Sequence, residues 1–124
     1  MRLIDTSAWI HALRVGGNPE VRARVRALLE AGEAAWCPMI QLELWNGARG
    51  AHEKRLLTEM QGILAELAVD AKVWAVAHAL AQASRRTGKT IPATDILIAA
   101  CGRRHGVEIE HADQHFATLA SLAA

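Results

Sequence analysis

Short apolar runs alternate with longer amphipathic ones along the whole chain. Segments 2–5 (RLID), 34–37 (AAWC), 64–70 (LAELAVD) and 107–110 (VEIE) have the length and composition of strands. Between and after them, apolar residues recur at helical spacing over 6–13, 18–32, 38–48, 51–63, 71–88, 92–106 and 113–123. Several of these segments carry their own punctuation. Asn18 suits a helix cap, Pro19 the first helical position and Gly32 a helix end, while Pro38 opens the third helix and Gly88 closes the fifth. Segment 92–106 is apolar on nearly every face, which predicts a buried helix.

Strands that alternate with helices predict an α/β fold, with parallel pairing and right-handed crossovers. Helices then cover both faces of the sheet, in three layers, and central strands are apolar throughout. Segments 2–5 and 34–37 come close to that, whereas 64–70 and 107–110 place acids on one face, as edge strands do. The strand order that follows is 3-2-1-4. The sheet then reverses beside its first strand, and ligands of open α/β sheets bind at the carboxyl ends of strands near such a reversal. Asp5 ends the first strand and Asp113 lies just beyond the last.

Composition narrows this picture. A length of 124 residues suits one domain, 1–124. A formal net charge of +1 gives the chain no general attraction for polyanions, so any such contact needs a local basic patch. Most Arg and Lys side chains read as solvated helix faces; Arg85, Arg86 and Lys89, just ahead of segment 92–106, are the best candidates for a phosphate backbone. Cys37 and Cys101 both lie in apolar segments and read as buried, reduced thiols. No apolar run approaches the roughly 20 residues of a membrane span, and the amino terminus lacks a signal-like apolar stretch. A cytoplasmic location is expected.

Two more acids stand in apolar surroundings: Glu43 in "IQLELW" and Asp95 at the head of "DILIAAC". Each acid has a modest local explanation. Asp5 and Asp113 sit where caps sit, Glu43 can point outward, and Asp95 occupies a first turn favoured by the helix dipole. Together they have a chemical one. Carboxylates gathered in one cleft raise one another's pKa values, and a divalent cation relieves the repulsion. Oxygen ligands without cysteine suit Mg²⁺ or Mn²⁺, ions that pair naturally with phosphoryl chemistry.

These residues, in this order, resemble the PIN-domain ribonucleases, and in particular the short VapC-type toxins, over essentially the whole chain. The resemblance rests on "DTS" at Asp5, Thr6 and Ser7, on Glu43 in "IQLELWNGA", on Asp95 in "IPATDILIAA" and on Asp113 in "HADQHF". It implies a PIN-like sandwich and an Mg²⁺- or Mn²⁺-dependent endoribonuclease that leaves 5′-phosphate and 3′-hydroxyl ends. Asp5, Glu43, Asp95 and Asp113 would hold the metal, with Thr6, Ser7 and His115 in support. It also implies a homodimer and a cognate antitoxin whose tail fills the active-site groove. Trp9, Trp45 and Trp74 are expected in the core or at interfaces, Trp9 and Trp45 also along that groove, and His78 is expected to be packed.

One departure concerns His111 and His115, where the family more often has Thr and a second Asp. If the last strand continued through "HADQH", His111, Asp113 and His115 would share one face at a spacing that suits zinc or manganese. A helix that begins at Asp113 breaks that alignment and is the expected outcome. Two further readings of the chain are an aspartate phosphoacceptor and a non-catalytic RNA- or protein-binding module. A phosphatase of the first kind needs an acid two residues after Asp5, where Ser7 stands. DNA is a third, weaker alternative to RNA as substrate, because the chemistry lies at phosphorus.

Overall fold

In the computed structural model, which describes residues 1–123, a parallel sheet is flanked by seven helices. The elements in chain order are β1 (Arg2–Ile4), α1 (Thr6–Leu13), α2 (Pro19–Glu30), β2 (Ala34–Trp36), α3 (Pro38–Asn46), α4 (Gly50–Met60), β3 (Ala65–Glu66), α5 (Ala71–Arg86), α6 (Ala93–His105), β4 (Glu108–Glu110) and α7 (Gln114–Ala120). The strand order is β3-β2-β1-β4, as the acid pattern of the edge segments predicts. Arg2 pairs with both Ala34 and Glu108, and Ile4 with Glu110, so β1 lies between β2 and β4.

Local chemistry sets most boundaries. Asn18 Oδ1 accepts the Glu20 and Val21 N–H groups and caps α2, with Pro19 in its first turn. Asp70 caps α5 through the Val73 N–H at 3.0 Å. That cap also explains why the third strand is shorter than expected. Segment 64–70 alternates like a strand, yet β3 covers only Ala65–Glu66; Leu67 N–H adds one more bond to Trp36, and the chain then turns to cap α5.

The core lies on both faces of β1 and β2. Leu3, Ile4 and Ala35 are fully buried, and Trp36 nearly so. Each fully buried aliphatic side chain contributes about 1.5–3 kcal/mol. Helix α6 is buried without interruption from Ile96 to Gly102, as its all-round apolar pattern predicts. Trp9 packs on Trp36, with ring centroids 6.4 Å apart. Trp9 is therefore entirely enclosed and lines no groove, a correction to its expected second role; Trp45 and Trp74 are exposed. His78 is exposed as well, because α5 buries the opposite stripe, Val73, Ala77, Leu80 and Ala83. Cys37 and Cys101 are buried free thiols, and Cys101 Sγ donates to the Leu67 and Ala68 carbonyls at 3.9 and 4.0 Å. Among the described residues no helix is long and apolar enough to cross a membrane.

Two contacts fix α6 against the β4–α7 unit. Arg103 donates to the Leu119 and Leu122 carbonyls at 2.8 and 2.7 Å, which ties down the end of α7. Gly102 lets α6 approach β4 closely: a Cβ there would lie 3.1 Å from the Val107 carbonyl oxygen and 3.2 Å from the Ile109 side chain. Backbone at that distance yields less readily than a flexible side-chain tip. Gly102→Val is expected to destabilise the fold by about 1–3 kcal/mol through overpacking, read as a lower midpoint in urea with an unchanged slope.

Candidate metal centre at the carboxyl edge of the sheet

Asp5 follows the last residue of β1 and caps α1. Its Oδ2 accepts the Ser7 N–H at 2.9 Å and the Ser7 hydroxyl at 2.6 Å. Its Oδ1 is buried and has no hydrogen-bond partner, although the residue is only 3 % exposed. The Asp5 N–H donates to the Glu110 carbonyl at 2.9 Å, which brings the end of β4 to the same edge. Ser7 Oγ in turn accepts the Ala112 N–H at 3.0 Å. One hydroxyl thus joins the β1–α1 turn to the β4–α7 turn.

Glu43 projects from α3, and its Oε1 accepts the Thr6 hydroxyl at 2.9 Å. Asp95 stands in the first turn of α6, whose cap position, Pro92, offers no side-chain acceptor. Asp113 caps α7: its Oδ1 accepts the His115 N–H at 2.9 Å. Helix α7 begins at Gln114, so the strand-like alignment of His111, Asp113 and His115 does not form. His111 instead packs on Phe116, with ring centroids 5.3 Å apart. His115 swings the other way. Its Nδ1 lies 3.0 Å from Asp95 Oδ2 and 3.1 Å from Asp113 Oδ1. One donor atom from each of Asp95, Asp113 and His115 falls within 4.8 Å of the others.

The electrostatics agree with this crowding. Burial is the main cause that raises the pKa of Asp5, and the Asp113 charge adds to it. Burial likewise leads for Glu43, with Asp5 and Asp95 adding to the effect. Asp95 is raised first by burial and then by Asp113 and Asp5. All four acids therefore share one field, while Asp5 and Glu43 both lie outside the tight group of Asp95, Asp113 and His115. The residues present suit a hard divalent cation. The donors are carboxylate oxygens with one imidazole, and the bare Oδ1 of Asp5 is a buried acceptor that an ion or its water would satisfy.

Other expected residues fall elsewhere. Arg85 and Lys89 border a concavity of about 320 Å³ that also includes Ile96, one residue beyond Asp95. A larger concavity, about 480 Å³, lies between α6, β4 and α7 and includes none of the acids of the centre. Sequence reading missed Glu110. It is 7 % exposed, and Arg24 at 3.0 Å and Arg2 at 3.9 Å hold its carboxylate at the foot of the β4–α7 turn. An acid in a strand edge signalled exposure; only the Arg spacing on α2 carried a hint of its partner.

Comparison with known proteins places the chain in a family. The model of the PIN domain matches residues 2–122. The ribonuclease VapC11 of Mycobacterium tuberculosis is 36 % identical over 126 residues, covering 98 % of this chain and 93 % of its own. The VapC ribonuclease Mb1587 of Mycobacterium bovis matches to the same extent, 36 % over 126 residues. Among solved structures, FitAcB from Neisseria gonorrhoeae superposes with a TM-score of 0.72 at 22 % identity, over 99 % of this chain and 95 % of that one.

Because Asp5, Glu43 and Asp95 bind protons more tightly in the fold than in the unfolded chain, they favour folding when protonated. That contribution is present below the ordinary carboxylate pKa of about 4 and is lost as pH rises through the raised values. In chelator-treated protein, Asp5→Asn keeps the cap and removes the buried charge. It is expected to melt above wild type at pH 7, with the gap closing toward pH 4. A lower melting temperature at pH 7 would show that the Asp5 charge is already compensated within the chain.

Proposed function

The chain belongs to the PIN-domain family and to its VapC branch, and from that premise we propose that it is a metal-dependent endoribonuclease, the toxin of a toxin–antitoxin pair, with residues 1–124 acting as one nuclease domain. The observation that carries this reading is the gathering of Asp5, Glu43, Asp95 and Asp113 at the carboxyl edge of the sheet, with one buried oxygen of Asp5 left without a partner. Asp5, Asp95 and Asp113 would hold the ion, taken to be Mg²⁺ or Mn²⁺, and Glu43 would complete its surroundings directly or through water. Such an ion, when bound, would stabilise charge that develops on the phosphoryl oxygens and lower the pKa of water.

The chain's own groups perform the rest. The Thr6 hydroxyl occupies Oε1 of Glu43, which leaves Oε2 to take a proton from the attacking water. As the water oxygen bonds to phosphorus the bond to the 3′-oxygen breaks, and that oxygen takes a proton from solvent, which leaves a 5′-phosphate and a 3′-hydroxyl. Ser7 holds Asp5 and the β4–α7 turn in register, so that acids from both turns face one phosphate. Arg85, Arg86 and Lys89 contribute a sequence-independent, salt-sensitive hold on the RNA backbone.

The same premise supports a cognate antitoxin in the cytoplasm, whose tail occupies the active-site groove near the exposed Ile10 and Trp45. It also supports a homodimer, for which exposed Leu42 and Trp74 offer apolar surface. The phosphoacceptor alternative has little to stand on, because Ser7, where a second acid would be needed, is engaged as a donor to Asp5.

The test is cleavage of structured and unstructured RNA by purified protein, with Mg²⁺, with Mn²⁺ and with chelator, for wild type and Asp5→Asn. Metal-dependent cleavage by wild type and a loss of at least about a hundredfold in the variant are expected, on the scale of a removed electrostatic catalyst. Equal cleavage by both proteins would place the activity elsewhere, and no cleavage by either would favour a binding module.

A further inference from the structure

We infer that His115 is a metal ligand: its Nδ1, with one oxygen from Asp95 and one from Asp113, forms a nitrogen–oxygen face that takes Mn²⁺ in preference to Mg²⁺. This deepens the divalent-ion reading above and rests on it. Expectation from the chain alone was an all-oxygen site made by four acids, with His115 only in support.

The distances carry the inference. Two ligand atoms about 2.1 Å from one ion and at right angles to each other lie about 3.0 Å apart. His115 Nδ1 is 3.0 Å from Asp95 Oδ2 and 3.1 Å from Asp113 Oδ1. His115 Nδ1 thus stands from each carboxylate oxygen at the spacing of neighbouring ligands in an octahedral shell, and the three atoms lie within 4.8 Å of one another. Neither Glu43 nor Asp5 belongs to this group. The buried, unpartnered Oδ1 of Asp5 is an independent sign that a cation belongs at this edge.

The imidazole is also held in place. Asp113 caps the turn that carries His115 through its N–H, and Arg103 ties the far end of α7 to α6, the helix of Asp95. Little reorganisation is needed for ligation. Nitrogen is the discriminating atom. Mg²⁺ takes oxygen ligands and keeps its waters, whereas transition ions accept imidazole readily. His111 is not an alternative nitrogen, because its ring packs on Phe116.

The experiment uses Mn²⁺ alone as probe, with the full chain. Free Mn²⁺ is counted by its paramagnetic resonance spectrum during titration and Mg²⁺ competition, and pulsed spectra of the bound ion report nitrogen coupling. Wild type and His111→Asn are expected to show ¹⁴N modulation, and His115→Asn to lose it and bind Mn²⁺ at least about tenfold more weakly. His115→Asp, which restores oxygen, is expected to lower the Mn²⁺-to-Mg²⁺ affinity ratio by about tenfold or more. Bound Mn²⁺ without nitrogen modulation in wild type overturns the inference while leaving the divalent-ion reading intact. So does modulation that survives in His115→Asn, or an unchanged affinity ratio in His115→Asp. Failure of wild type to bind Mn²⁺ at all overturns both.

Discussion

Like charges gathered in a partly buried cleft repel one another, and the carboxyl edge of this sheet is built to contain that repulsion. Asp5, Glu43, Asp95 and Asp113 come from four separate turns or helices, and burial together with neighbouring acid charges makes Asp5, Glu43 and Asp95 harder to ionise. The protein answers with local hydrogen bonds: Ser7 to Asp5, Thr6 to Glu43, His115 beside Asp95 and Asp113. These bonds hold the acids in place without neutralising the site. What remains is a field that favours a cation, and the proposed activity rests on it.

The fold serves this arrangement economically. Each acid stands at a position that the backbone already needs. Asp5 and Asp113 cap α1 and α7. Asp95 sits at the positive end of α6, whose next seven residues are the longest uninterrupted buried run among the described residues. A site carried on capped helix ends and a buried helix moves little when its ligand arrives, which is the condition for precise geometry.

Much of this was legible in the chain. Apolar β1 and β2 and acid-bearing β3 and β4 encode the strand order, because only interior strands of a parallel sheet face helices on both sides. Asn18–Pro19 and Gly88 mark helix ends by local chemistry alone. The residues that misled share one property: their fate depends on partners far away in sequence. Glu110 read as an exposed edge acid but is buried under Arg24, and Trp9, placed in the core as expected, packs on Trp36 and so has no part in a groove. His78 faces water because the neighbours of α5 take the opposite stripe. His115 needed the start of α7 to be known within one residue, since a single step of register exchanges its place with that of its neighbours.

The double duty of the aspartates has a genetic consequence. Asparagine caps a helix as well as aspartate does, and one base transition in an aspartate codon produces it. For a chain with the proposed toxic activity, a well-folded and inactive descendant is therefore always a single mutational step away. Such a descendant keeps the surfaces of its parent and still occupies the parent's partners. The architecture makes disarmament easy and unfolding unnecessary, so lineages that carry this gene are expected to accumulate silent decoys more readily than fragments.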